Sequence, residues 1–426
     1  MSDFPAPIAE QIWDMKYRLK APDGQALDAG LADTRDRVAR ALAEAEADPG
    51  HWEPVFREAL EGFRFLPAGR ILAGAGTGRA VTLFNCFVMG TIPDSLDGIF
   101  EMLKEAAVTM QQGGGIGYDF STIRPRGAPV EGVGADASGP LSFMDVWDSM
   151  CRTIMSAGNR RGAMMATMRC DHPDIEDFVA AKGDAARLRM FNLSVLATDA
   201  FMEAVRADED WDLVFEGRVF RTVRARDLWD RIMRATYDYA EPGVIFIDRV
   251  NRANNLWYAE EIAATNPCGE QPLPPYGACL LGSVNLAALV REPFSEGAHV
   301  DEGELADLVA TAVRMMDNVV DVSRFPLAQQ AEEARAKRRI GLGVTGLADA
   351  LIMCRLRYGS AEAVERTGRW LEAVKLAAYR ASVDLAAEKG PFPLFDTGKY
   401  LEGETIRALP RDIRDAIAEN GIRNAL

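Results

Sequence analysis

From residue 81 onward, short apolar runs of strand length alternate with longer stretches of helical spacing, and this alternation limits the possible folds more than any other feature. Strands joined through helices run parallel, so the segment reads as an α/β sheet or barrel. Strands are expected at 81–89, 192–197, 244–247, 279–285 and 339–344. Helices are expected at 98–112, 141–156, 171–182, 225–239, 302–322 and 361–388, with Asp171 and Pro173 marking one helix start. Before residue 81, the amphipathic stretch 8–19 and the Ala/Glu-rich stretch 35–47 are helical. With no internal repeat or low-complexity linker, the division expected is a helical N-terminal domain over 1–80 and one large α/β unit over 81–426.

The formal net charge of −16 repels the phosphate backbone of DNA and RNA, so no nucleic-acid polymer is expected as a partner. No run approaches the roughly 18 apolar residues of a membrane helix, and the start MSDFPAPIAEQ lacks a secretory pattern. A cytoplasmic protein without a membrane partner is expected. Small basic islands, among them Arg124 with Arg126 and Arg160 with Arg161, suit small anions such as nucleotide phosphates, or are solvated surface charge. The six cysteines form no C-x-x-C, which argues against a zinc ribbon or a thioredoxin-type motif; in a reducing compartment any disulfide among them is a working one. The three histidines are far apart, and no metal site is expected.

Two glycine-rich segments invite a nucleotide reading. Gly341-Leu342-Gly343-Val344-Thr345-Gly346 has dinucleotide-loop spacing, but a charged stretch precedes it and helices follow it, so tight strand-to-helix packing is preferred. Residues 113–117, Gly-Gly-Gly-Ile-Gly, lack the G-K-[ST] ending of a phosphate loop; they imply backbone held close to a neighbouring strand or a ligand.

In residues 264–279, prolines and glycines forbid helix and interrupt any central strand. If this loop is extended, the alternate residues Asn266, Cys268 and Glu270 point to one side, bringing an amide, a thiol and a carboxylate together. The competing account is a proline-rich surface loop whose cysteine is incidental.

The wording Asn266-Pro267-Cys268-Gly269-Glu270, followed by Pro272-Leu273-Pro274-Pro275-Tyr276-Gly277-Ala278-Cys279 and Gly282-Ser283-Val284-Asn285-Leu286, strongly resembles the finger loop of class II, adenosylcobalamin-dependent ribonucleotide reductases. The resemblance continues through Phe65-Leu66-Pro67-Ala68-Gly69-Arg70, Asn85-Cys86-Phe87-Val88, Pro93-Asp94-Ser95-Leu96-Asp97, the glycines of 113–117, and residues 160–167. It implies a ten-stranded α/β barrel of two half-barrels with the finger loop in its centre. It also implies that Cys268 becomes a thiyl radical, Glu270 serves as general base and Asn266 holds the ribose, while Cys86 and Cys279 supply two electrons by forming a disulfide.

The resemblance further places Asn85 and Gly115 at the substrate, and Asp94, Arg124, Arg160 and Arg161 at a nucleoside triphosphate effector. The activity implied is reduction of ribonucleotides, with diphosphates the closer match, to deoxyribonucleotides for DNA synthesis, by a homodimer served by a thioredoxin-type reductant. The family pattern runs on past Leu426, so the barrel is expected to lack its last strands, the chain alone to be inactive, and a C-terminal complementing polypeptide to be needed. Two alternatives stay open: a class I large subunit taking its radical from a partner protein, and a non-catalytic nucleotide-binding regulator.

Overall fold

The computed structural model describes residues 4, 6–130, 132, 134–154 and 162–426; Arg160 and Arg161 lie outside the described residues, as does the side chain of Cys279. The chain forms two compact units, one of residues 1–85 with 279–426, the other of residues 86–278.

In the first unit, the helix Glu302–Val322 starts where Asp301 caps it, its carboxylate accepting from the Glu304 amide at 2.9 Å. Its face of Leu305, Leu308, Val309, Ala312, Val313, Met316 and Val320 is buried, and it packs on Ala361–Lys389 and on the N-terminal helix Leu31–Ala43. At its far end the wholly buried Asp317 accepts hydrogen bonds from Arg338 Nε (2.7 Å), Arg423 Nε (3.2 Å) and Asn424 Nδ2 (2.8 Å). A small sheet places Phe65–Pro67 antiparallel to Leu281–Asn285, which runs parallel to Gly341–Thr345 at the edge. The G-x-G-x-x-G spacing is thereby explained without a nucleotide. Gly341 and Gly343 lie within the strand, and Gly346, at φ +68°, turns it into the helix Leu347–Met353.

The second unit is built on a parallel sheet. Its parallel strands run in the order Gly243–Phe246, Phe191–Ala197, Met164–Arg169, Gly115–Asp119 and Cys86–Val88. Helices Leu96–Gln111, Pro140–Thr153 and Ala225–Tyr239 accompany it, and Phe87, Ile116, Tyr118, Phe120, Trp147, Met164 and Val195 form its core. A helical N-terminal region followed by α/β structure with a parallel sheet is what the sequence pattern implies.

Details differ. The strand expected at 81–89 contracts to Cys86–Val88, and 279–285 divides between Ala278–Cys279 and Leu281–Asn285. The helix expected over 171–182 begins only at Ile175, and the carboxylate of its N-cap residue Asp174 accepts from the Arg126 amide at 2.9 Å rather than from its own first turn. Among the described residues no helix is long and apolar enough to cross a membrane.

Candidate active site

The proline- and glycine-rich stretch is a hairpin. Ala264–Thr265 pairs antiparallel with Pro272–Leu273, and the tip closes through Gly269 N–H to Asn266 C=O (3.0 Å) and Asn266 N–H to Gln271 C=O (3.2 Å), with Gly269 at φ +80°. Alternation of side chains holds only for extended backbone, so the expectation that Asn266, Cys268 and Glu270 point to one side is corrected. Asn266 is turned wholly inward, whereas Cys268 and Glu270 are exposed on the tip. The Asn266 Oδ1 accepts from the Gln271 amide at 3.0 Å, but its Nδ2 is buried with no hydrogen-bond partner among the described residues. Buried amides are nearly always satisfied, so this donor marks a place for an acceptor.

The glycines of 113–117 are the seat of this hairpin. A Cβ on Gly115 would stand 2.9 Å from Pro267 Cγ and 3.2 Å from Cys86 Sγ; one on Gly117 would stand 1.8 Å from the Thr265 carbonyl oxygen. Only glycine leaves the face of the strand Gly115–Asp119 bare enough for another backbone to lie on it. The ascending arm is further held by Thr167 Oγ1 donating to Ala263 C=O (2.9 Å), and the tip by Asn192 Nδ2 donating to Pro267 C=O (2.6 Å).

Among the other expected residues, Cys86 is buried beside Gly115, and Asn85 has its Oδ1 buried without a hydrogen-bond partner among the described residues. Cys279 lies on the strand after the hairpin; its side chain is outside the described residues. Asp94 and Arg124 meet in an ion pair at 2.8 Å and line a cavity of about 240 Å³ with Leu96, Ile99, Ile123 and Phe143.

Asn192, Thr167 and Asp119 were not singled out from the sequence. Asp119 ends the strand that seats the hairpin, and burial pushes its carboxyl up to about 6 against the hydrogen bonds from Ser121 and the nearby Arg169 charge. The sequence signal for Asn192 is weak: it is one of two polar residues, with Ser194, in the strand Phe191–Ala197.

The hairpin thus presents a thiol and, two residues on, a carboxylate at its exposed tip, and turns inward an amide whose donor has no partner among the described residues. Residues 84–426 match the family model described as ribonucleotide reductase, barrel domain, and residues 3–80 that described as ribonucleotide reductase, all-alpha domain. The chain belongs to the ribonucleotide reductase large-chain family.

Among curated proteins it is 41% identical over 393 residues to a vitamin B12-dependent ribonucleoside-diphosphate reductase of Mycobacterium tuberculosis (strain CDC 1551 / Oshkosh), covering 90% of this chain and 56% of that one. A protein of the same description from Thermoplasma acidophilum is 39% identical over 361 residues, covering 84% of this chain and 46% of that one. The ribonucleoside-diphosphate reductase subunit alpha of Chlamydia muridarum is 28% identical over 447 residues, covering 91% and 42%. The chain thus spans about half the length of the curated relatives it matches.

Proposed function

We propose that this chain carries the thiol centre of an adenosylcobalamin-dependent reduction of ribonucleoside diphosphates to deoxyribonucleotides, for DNA precursor supply. The observation that carries the reading is the buried, unpartnered Nδ2 of Asn266, two residues from the exposed Cys268 thiol. The higher identity to vitamin B12-dependent relatives favours cobalamin over a radical delivered by a partner protein.

Cys268 fits the cofactor in its chemistry, being a free thiol open at the hairpin tip. When bound, adenosylcobalamin supplies a carbon-centred radical able to abstract a hydrogen atom. Cys268 takes the ribose 3′-hydrogen atom and, once C2′ has been reduced, returns it to C3′, so that it is not consumed. Asn266 Nδ2 donates to a ribose hydroxyl oxygen and orients it. Glu270 accepts the 3′-hydroxyl proton, a role typically worth about 10²- to 10⁴-fold. The 2′-hydroxyl leaves as water, and the two electrons and two protons required come from Cys86 and Cys279, which become a disulfide that a thioredoxin-type reductant reopens.

Asp94 and Arg124, lining their own cavity, are assigned to a nucleoside triphosphate effector together with Arg160 and Arg161; Asn85 and Gly115 are assigned to substrate. The domain division at residue 80, an incomplete ten-stranded barrel, a homodimer and a cytoplasmic location complete the reading.

The test is conversion of a ribonucleoside diphosphate by the purified chain, alone and with a C-terminal complementing polypeptide, in the presence of adenosylcobalamin and dithiol. Activity that Cys268→Ser abolishes is expected, because an O–H bond is too strong for the relay. Undiminished turnover by Cys268→Ser overturns the mechanism.

A further inference from the structure

Tyr276 adopts a conformation that a bulky side chain rarely takes. Its φ is +62°, a strained left-handed geometry that persists only where the surroundings over-determine it. The phenol donates to Glu105 Oε2 at 3.1 Å, and Glu105 is itself buried on the helix Leu96–Gln111. The ring lies directly on the Gly90 backbone: a Cβ there would stand 2.4 Å from the phenol oxygen and 2.5 Å from Cζ. The next residue, Gly277, closes a turn by donating to Pro274 C=O at 2.9 Å, and its own carbonyl accepts from the Val88 amide at 2.9 Å. That amide belongs to the strand Cys86–Val88, and Cys279 follows three residues after Tyr276.

We propose that the Tyr276–Glu105 hydrogen bond, with the ring laid over Gly90, is a latch fixing the descending arm of the hairpin onto the Cys86 strand, which makes Tyr276 and Glu105 positioning residues for the Cys86–Cys279 pair. The inference rests on the reading of that pair as the electron source. Each link is local: Glu105 fixes the ring, the ring fixes the left-handed turn, and the turn aims the Gly277 carbonyl at Val88. Burial first, and Glu105 second, push the Tyr276 hydroxyl up to about 12, so it remains a donor throughout the neutral range. A ring needed only to fill space would leave the turn unchanged when its hydroxyl is removed.

The experiment uses the whole chain and three variants, Tyr276→Phe, Glu105→Gln and Gly90→Ala. Amide hydrogen exchange is measured at Val88, with Val195 in the core as a reference for global opening. Cys86–Cys279 disulfide formation is followed in a glutathione buffer. There the two thiols lose two protons and two electrons, and one oxidised glutathione is reduced to two reduced ones.

Tyr276→Phe and Gly90→Ala are expected to speed Val88 exchange about tenfold with Val195 unchanged, and to slow disulfide formation about tenfold. Glu105→Gln keeps an acceptor and is expected to stay within about threefold of the parent chain in both. Unchanged Val88 exchange in Tyr276→Phe overturns the latch. Faster exchange with undiminished disulfide formation overturns its link to the thiols. A parent chain that forms no Cys86–Cys279 disulfide overturns the electron-source reading instead, and the exchange result then decides the latch alone.

Discussion

Cys268 stands apart from the other described cysteines in its exposure on the hairpin tip. Burial pushes Cys151 up to about 12 and Cys170 up to about 11, with nearby acidic groups adding to both. At pH 8 a thiol at about 12 is ionised to only about one part in 10⁴, and the thiolate is the reactive form. Limited alkylation followed by peptide mass mapping is therefore expected to label Cys268 at least about 100-fold faster than Cys151 or Cys170; equal labelling would contradict the placement of the tip.

Asp119 gives a second prediction at this scale. Its carboxyl is raised from 3.8 to about 6, chiefly by burial, so the stabilising neutral form is fully present below about 3.8 and is lost as pH rises through about 6. Denaturation midpoints should fall across that window, and Asp119→Asn should flatten the fall; a parent-like slope in Asp119→Asn would remove Asp119 from the explanation.

The hairpin and its glycine seat are a matched pair of elements, and one methyl group tests the match. Gly117→Ala places a carbon 1.8 Å from the Thr265 carbonyl oxygen, which forces backbone to move, and a loss of about 3 kcal/mol or more is expected by denaturant titration. Gly343→Ala, whose Cβ would meet nothing closer than Ser283 Oγ at 3.8 Å, should change stability by less than about 1 kcal/mol. Similar losses in the two variants would refute the seat.

The same elements show what could be read beforehand. Helices Ala225–Tyr239 and Glu302–Val322 fall where their spacing puts them, because each buries one face of a continuous amphipathic pattern. The strands Gly115–Asp119 and Met164–Arg169 escaped notice although they are central to the sheet. Glycine reads as turn and Met-Met-Ala-Thr-Met carries little strand preference, so neighbours on both sides impose the conformation. The wording around Cys268 revealed which residue types share the loop. It could not reveal that Gly269 turns left-handed and sends Asn266 inward, since that depends on what the hairpin lies upon.

Within the first unit, Asp317 ties together segments distant in sequence through Arg338, Arg423 and Asn424. Burial works against its charge, but the Arg338 bond and charge and the Arg423 charge hold its carboxyl below the usual carboxylate range. Its stabilising contribution is thus present above about 3.8 and is lost as pH falls through the lower folded value. Asp317→Ala leaves buried guanidinium groups short of a partner and is expected to cost about 3–5 kcal/mol near neutral pH, with a smaller penalty in acid. Urea titrations at pH 7 and pH 3 check both; a cost under about 1 kcal/mol at pH 7 would show the network to be ornamental.

The two compact units also set a timetable for biosynthesis. Residues 1–85 belong with 279–426, so the strand Phe65–Pro67 leaves the ribosome about 200 residues before Leu281–Asn285, its partner, exists. At about 5–20 residues per second that is a wait of roughly 10–40 s, during which the helix Leu31–Ala43 lacks the helix Glu302–Val322 that later packs on it. Residues 86–278 form a unbroken stretch and can close as soon as they emerge. Nascent chains stalled after residue 278 should therefore show a protease-resistant middle and a cleavable beginning, and chains stalled well past residue 345 should protect both. Until that point the newborn polypeptide is a client for chaperones that hold apolar helices apart.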